Sequence, residues 1–298
     1  QRTVLLDELS EYFNIKVLEE EPADGVGLNR FYVYVDGAVF IDTYDVNKLV
    51  IKESDTINNI NDIDGLYEVK WQNGSSFRPY SSTLGGKLAG LFESRDGNNG
   101  AVLSGKASGQ LENNADGDLV LTMEKANIND VNLLNIPATN GKITINNVSY
   151  SYKSFEVEVS DTGEFTYKFT LNNEVSAKQA QSLNNAVKAG KPVTVGERVE
   201  YKGVPYYMAQ LNEFVRTFAQ EFNTIHKSGY DVYGNSGMDF FNAKDVTSGE
   251  NFKFIERNEK GYDASFSSEA QRQPDGTYVG SYYYMTALNI CVTDDLLE

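Results

Sequence analysis

The sequence predicts an α+β protein of several parts, in which helices with narrow apolar seams flank an inserted β-rich segment. Three observations carry this expectation. Apolar residues recur every three or four positions in a few stretches, above all from Met208 to Ile225, which marks amphipathic helices. Elsewhere the period is two, and runs of Val, Ile, Thr, Tyr and Phe flank short Asp-Gly or Asn-Asn turns. Between 98 and 203 the texture shifts to Gly, Asn, Thr, Val and Lys with repeated hairpin spacing, and helical patterns resume on both sides. The chain is therefore divided into 1–97, a first part with helices and hairpins; 98–203, an inserted β-rich domain; and 204–298, a long helix, loop and strands that complete the first part.

Taken in order, residues 2–13 place Val4, Leu5, Leu6, Leu9, Tyr12 and Phe13 at helical spacing. The stretch begins abruptly, so this helix is expected to continue a longer one. Strands at 30–35 and 38–43 flank Asp36-Gly37, where both central residues favour positive φ. A short strand at 67–71 follows, then a helix at 84–94 that stops at Asp96-Gly97. Inside 98–203, strands at 142–145 and 148–152 join through Asn146-Asn147, strands at 154–159 and 164–171 join around 161–163, and one short helix falls near 176–189. The clearest helix is 204–228. Pro205 sits in its first turn, where a missing N–H costs nothing. Lys227 favours its negative end, and Gly229 is expected to stop it in the left-handed conformation. Strands are expected at 251–255 and 277–285, and the acidic run 294–298 carries no stop signal of its own.

Composition removes whole classes of function. The 298 residues carry 43 acids against 26 bases, a net charge of −17, which makes nucleic acid and anionic membrane poor partners. No apolar run approaches the roughly 18 to 20 residues that span a bilayer, so no membrane insertion is expected, and the first residues do not form a signal peptide. One cysteine, Cys291 in an apolar run, excludes an internal disulfide and reads as an inert buried thiol. One histidine, His226, removes most histidine metal sites and catalytic triads. No phosphate-binding loop, dinucleotide fingerprint or nucleophile elbow is present. The stretch from Asp231 to Gly237 is oxygen-rich but lacks the order and distal Glu of a calcium loop. No catalytic residue, cofactor or metal is therefore expected. Tyr282 to Tyr284, placed in a strand, would be half core and half surface, or a sugar-stacking face.

What remains as a candidate site is a helix-packing seam. It comprises Leu6 and Leu9 in the first helix, Leu88 and Leu91 in the second, and Met208, Leu211, Val215, Phe218, Phe222 and Ile225 in the third. Spacings of three, four, three, four and three in the last group let helices lie alongside one another at about +20°. Phe214 and Ala219 widen that stripe. An ordinary core helix has the same pattern. Either way Phe218 is expected to face inward and Gln220 outward, with the three helices packed together.

Four blocks take the reading further. They are Leu5-Leu-Asp-Glu-Leu-Ser10; Gly85-Gly-Lys-Leu-Ala-Gly-Leu-Phe-Glu-Ser-Arg-Asp-Gly97; the stretch from Leu211 to Asp231 with Gly234-Asn-Ser-Gly237; and Ala287 to Asp294. In that order they resemble the flagellar hook-associated protein 1 family, the hook–filament junction proteins. The resemblance implies an exported, extracellular, non-catalytic axial protein of the bacterial flagellum, needed for its assembly and for motility. It implies an elongated helical rod domain with antiparallel hairpins and at least one β-rich domain inserted outward. It also implies a ring of subunits joining hook to filament, with the hook protein, the second junction protein and further copies of itself as partners. The family's terminal helices lie outside this sequence. A monomer in dilute solution is thus expected, because the remaining stripes are used within the rod and the net charge opposes contact. The alternative is an extracellular carbohydrate-binding or adhesive module, suggested by the Tyr-rich strands, and a third reading is a polysaccharide-cleaving enzyme.

Overall fold

The computed structural model describes residues 1–22, 27–172, 175–245, 248–274 and 276–296. The last two positions of the acidic run 294–298 lie outside the described residues. The chain divides into two compact units. The first holds Gln1–Asp55, Ile63–Ala101 and Arg198–Pro205; the second holds Thr56–Asp62, Val102–Glu197 and Tyr206–Glu298.

In the first unit α1 (Arg2–Tyr12) leads into β1 (Ile15–Glu20), β2 (Arg30–Val35), β3 (Ala38–Asp42) and β4 (Asp45–Val46), which form an antiparallel sheet in chain order. Strands β5 (Leu49–Glu53) and β6 (Tyr67–Trp71) pair separately, and α2 (Gly86–Asp96) follows. Asp36 and Gly37 take φ of 46° and 77°, as the two-residue hairpin requires. Phe13, Val35, Trp71, Phe77, Leu84, Ala89 and Phe92 are buried together, with the Trp71 ring 6.1 Å from Phe40 and 5.9 Å from Phe77. The Asp36 carboxylate anchors a turn there, accepting from Ser81 Oγ at 2.5 Å, from Arg78 Nε at 2.9 Å and from Thr83 Oγ1. Burial pushes its pKa up, but the Ser81 and Thr83 hydroxyls and the Arg78 charge outweigh that and hold it below the usual value. A carboxyl lowered on folding contributes stability above its unfolded pKa, and that contribution is lost as pH falls through the folded one. Asp36→Asn is therefore expected to destabilise the first unit at neutral pH, with the gap to wild type closing in acid. Denaturant midpoints measured across pH would refute this if the gap stayed constant.

The second unit is built on a β-barrel. Its strands are β7 (Leu103–Asn113), β8 (Leu119–Glu124), β9 (Gly141–Ile145), β10 (Val148–Val159), β11 (Phe165–Leu171) and, after α3 (Ala177–Lys188), β12 (Pro192–Val195). They run β11-β8-β7-β12-β9-β10, and β10 pairs with β11 to close the ring. A register shift between Tyr152 and Ser154 lets β10 pair with β9 through its first half and with β11 through its second. Period-two patterning fills the interior: Phe165, Tyr167, Phe169 and Leu171 are buried while the residues between them are only partly so. Asn146 and Asn147 take φ of 51° and 62° at the β9–β10 turn. Ser176 and Gln179 form a capping box on α3, which contributes Leu183, Ala186 and Val187 to the core.

Beyond the barrel come α4 (Val204–Lys227) and the short strands β13 (Phe241–Ala243), β14 (Phe252–Phe254), β15 (Phe266–Ser267), β16 (Gln271–Arg272), β17 (Tyr278–Gly280) and β18 (Ile290–Val292). β15 pairs with β10, and Ala219, Ala243, Phe252, Phe254, Tyr283 and Met285 share one core with the barrel. No helix among the described residues is long and apolar enough to cross a membrane.

The expected elongated helical rod is overturned. The structure is only 23% helical, with four α-helices among the described residues, against 34% strand that includes the closed six-stranded barrel. Hairpins that read singly as an outward insertion close on one another, and α4 alone among the described helices exceeds 12 residues. The strand expected at 277–285 ends at Gly280. Tyr282–Tyr284 then form a 3-10 turn whose Tyr283 N–H donates to Ser281 Oγ at 3.0 Å. Nor does Gly229 take the expected left-handed conformation. The helix closes instead with Ser228 Oγ donating to the Ile225 carbonyl at 2.6 Å and the Gly229 N–H to that of His226 at 3.1 Å.

Candidate functional site

The long helix α4 is amphipathic, yet polar residues occupy its buried face. Asn212, Arg216, Gln220 and Asn223 are 1%, 1%, 6% and 0% exposed, with Ala219 between them. Their spacing of four, four and three keeps them on one side of the helix. Each is satisfied by a loop, a 3-10 turn or the start of β13. Asn212 Nδ2 donates to Asn61 Oδ1 at 2.6 Å, and its Oδ1 accepts the Ala287 N–H at 2.9 Å. Asn223 Oδ1 accepts the N–H groups of Phe240 and Phe241 at 2.9 and 2.8 Å, and its Nδ2 donates to Tyr282 Oη at 2.9 Å. Gln220 Oε1 accepts from Asn132 Nδ2 at 3.0 Å.

Arg216 is the centre of this face. Its Nε donates to the Met285 carbonyl at 2.7 Å, Nη2 to Tyr283 at 2.6 Å, and Nη1 to Leu134 at 2.7 Å with longer contacts to Asn132 and Val131. The planar guanidinium thus ties two 3-10 turns, Val131–Leu133 and Tyr282–Tyr284, to one helix. Burial pushes its pKa down to about 10, so it remains charged at neutral pH.

The opposite face is apolar and uncovered. Leu211, Phe214, Phe218, Phe222 and Ile225 are exposed, and Phe214, Phe218 and Phe222 form a chain of rings with neighbouring centroids 5.9 Å apart. Phe240 and Phe241 edge this chain, at 5.1 and 5.2 Å from Phe222. His226 continues it, its ring 6.3 Å from Phe222 and its Nδ1 2.7 Å from the Met238 carbonyl oxygen.

The expected seam is therefore brought together only in part. Leu9 and Leu88 pack against the core of the first unit, Leu6 is half-buried, and Leu91 is exposed. On α4, Val215 packs against the core of the second unit and Met208 is half-buried, whereas the rest of the stripe faces outward. Expectation had Phe218 inside and Gln220 outside; the structure reverses them. Gln220→Ala should therefore cost about 1–3 kcal/mol by leaving the Asn132 amide unpaired, and Phe218→Ala about 1 kcal/mol or less. Chemical denaturation would sink this ordering if Phe218→Ala proved the more harmful. Period-based reading missed Asn212, Arg216, Gln220 and Asn223, although they recur at helical spacing as regularly as the apolar stripe.

Other candidates resolve into structural roles. Tyr282 and Tyr283 are buried, and the Tyr283 and Tyr284 hydroxyls donate to the Ile136 and Ser267 carbonyls at 2.8 and 2.5 Å, so the run does not present a sugar-stacking face. Asp231 turns its carboxylate onto the N–H groups of Tyr233 and Asn235, both at 2.8 Å. Cys291 lies in β18 opposite Asn242 and is only half-buried, not buried as expected; the burial it has pushes its thiol pKa up. No group of three or more His, Cys, Asp or Glu among the described residues is placed to hold a metal ion.

Residues 124–241, which contain the whole of α4 and both its faces, match the family model described as the flagellar hook-associated protein FlgK helical domain. Comparison with curated proteins and with solved structures gave no match. Over those residues the chain is similar to the FlgK family, a structural family of the flagellar hook.

Proposed function

We propose that this chain is a structural, non-enzymatic component of the bacterial flagellum, exported from the cell, that joins hook to filament as one subunit of an axial ring. The observation that carries the reading is the inverted helix α4. A soluble protein rarely leaves a row of large apolar side chains uncovered unless another surface meets it. Here the row lies within the stretch that resembles the hook-associated family. Partners in this reading are the hook protein, the second junction protein and further copies of this chain, and the packing seam supplies helix-to-helix contact. The barrel segment 98–203 is read as an insertion between 1–97 and 204–298. Expressed alone it should melt cooperatively, and a disordered spectrum would remove that boundary.

The test of function is positional. Immunogold labelling of flagella from the source cell, with antibody raised against this chain, is expected to mark the boundary between hook and filament. Label spread along the filament, or absent from flagella, would overturn the reading.

A further inference from the structure

In the first unit, β1 and β2 turn one face inward and the other outward. Val33 and Val35 are fully buried, and Val17 and Ile15 stand directly opposite them. The alternate residues share the outer face, Lys16 opposite Tyr34 and Leu18 opposite Tyr32. The two tyrosine rings are half-buried, 6.2 Å apart and 32° from parallel, and neither belongs to the buried core of that unit. Beside them opens a pocket of about 440 Å³, whose lining includes Asn14, Lys16, Leu18, Tyr34, Asp36 and Thr83. Small-ligand sites of this size combine apolar walls with a few fixed polar groups.

The polar groups here are fixed by the fold. The Asn14 N–H donates to the Leu84 carbonyl at 2.6 Å and its Nδ2 to the Thr83 carbonyl at 3.2 Å, which leaves Oδ1 to accept from a ligand. A Cβ at Gly85 would fall within 2.7 Å of three Asn14 side-chain atoms, so the amide is tightly backed. Thr83 Oγ1 donates to Asp36 and can still accept. Among the described residues the Tyr34 hydroxyl and the Lys16 ammonium have no bonding partner. Lys16 and Asp36 are of opposite sign, and Arg78 already pairs with Asp36 at 2.8 Å, so the pocket favours neither an anion nor a cation. The net charge of −17 further opposes a polyanion.

We propose that this pocket binds a neutral glycan, with one saccharide ring on Tyr34 and the next reaching Tyr32. The C–H face of a pyranose buries apolar surface against the electron-rich face of an aromatic ring. The hydroxyls on its edge donate and accept, which suits Asn14 Oδ1, Thr83 Oγ1 and Lys16 Nζ. The site lies outside residues 124–241 and so goes beyond the flagellar reading.

Calorimetric titration of the whole chain with cellohexaose, mannohexaose and chitohexaose is expected to give a Kd between about 10 μM and 1 mM for at least one of them. Tyr34→Ala is expected to weaken that binding by about 10-fold or more, the scale of losing an aromatic contact, whereas Tyr34→Phe keeps the ring and should lose less. Lys16→Ala, at an exposed position where folding is not at stake, should weaken it by about threefold. Unchanged cooperative melts would verify that the variants fold. Tyr230→Ser, an exposed tyrosine of the second unit, should leave binding unchanged. Binding of none of the three sugars overturns the inference, as does tighter binding of polygalacturonate, or an affinity that both Tyr34→Ala and Lys16→Ala leave intact. Glycan binding by a chain absent from flagella would remove the functional reading alone. Label at the hook–filament boundary without glycan binding would remove this inference alone.

Discussion

Arg216→Met is expected to lower the stability of the second unit by about 3–5 kcal/mol, the scale of losing one side of a buried charged network. The thioether fills part of the volume but donates nothing, so carbonyls of Leu134, Tyr283 and Met285 that now accept at 2.6–2.7 Å are stranded away from water. Those carbonyls sit in irregular turns, where no neighbouring strand or helix turn offers a replacement donor. Arg216→Lys should recover a part only. Its single ammonium carries three donors and cannot match the spread of a fork that reaches both turns. Urea unfolding of the three proteins should rank wild type above Lys above Met. A loss below about 1 kcal/mol for Met, the scale of an ordinary surface change, would mean that water replaces the clamp.

Gly203→Ala is expected to be comparably harmful, but in the first unit. A Cβ at Gly203 would lie 2.5 Å from the carbonyl oxygens of Glu93 and Ser94 and 2.7 Å from the Gly97 nitrogen. All three are backbone atoms, two of them in the last turn of α2, so no side chain can swing aside. Relief requires the strand-like entry to α4 to move off α2 and break the bond from the Gly203 N–H to the Gly97 carbonyl, 3.0 Å long. Overpacking of this kind costs about 3 kcal/mol, occasionally more. Calorimetry is expected to show a transition shifted down for the first unit while that of the second stays in place. A single unshifted melt would contradict the close packing.

The parts legible from sequence are those whose chemistry is local. Asp36-Gly37 and Asn146-Asn147 announce their hairpins because few residues tolerate positive φ, and alternation along 165–171 states which side chains enter the barrel. Closure of that barrel was not legible, since it depends on β12 meeting β7 and β9, and on β11 meeting β8, across long separations. The orientation of α4 escaped for the same reason. Periodicity shows that a helix has two faces; which one is buried depends on what surrounds it. Here the surroundings are carbonyls and amides from 131–134, 240–241 and 282–287, which favour Asn and Arg over Phe. The Tyr282–Tyr284 run was read as a strand from its residue types, whereas Ser281 caps it into a turn that Arg216 then holds.

The entry and exit of the barrel segment have a consequence for how such a chain can diversify. Asn98 accepts the Val199 N–H on its side chain at 3.0 Å, and Asn98 also bridges to Lys202, so the outgoing and returning strands are stitched together inside the first unit. The ends of everything from 102 to 197 are thereby held as neighbours whatever lies between them. Closing a longer excursion from fixed neighbouring ends adds only about 0.6 kcal/mol for each doubling of length. The position is a natural docking port for foreign sequence. Longer excursions can be accommodated there at little entropic cost, so long as they keep the barrel side chains that share a core with Ala219, Phe252 and Tyr283.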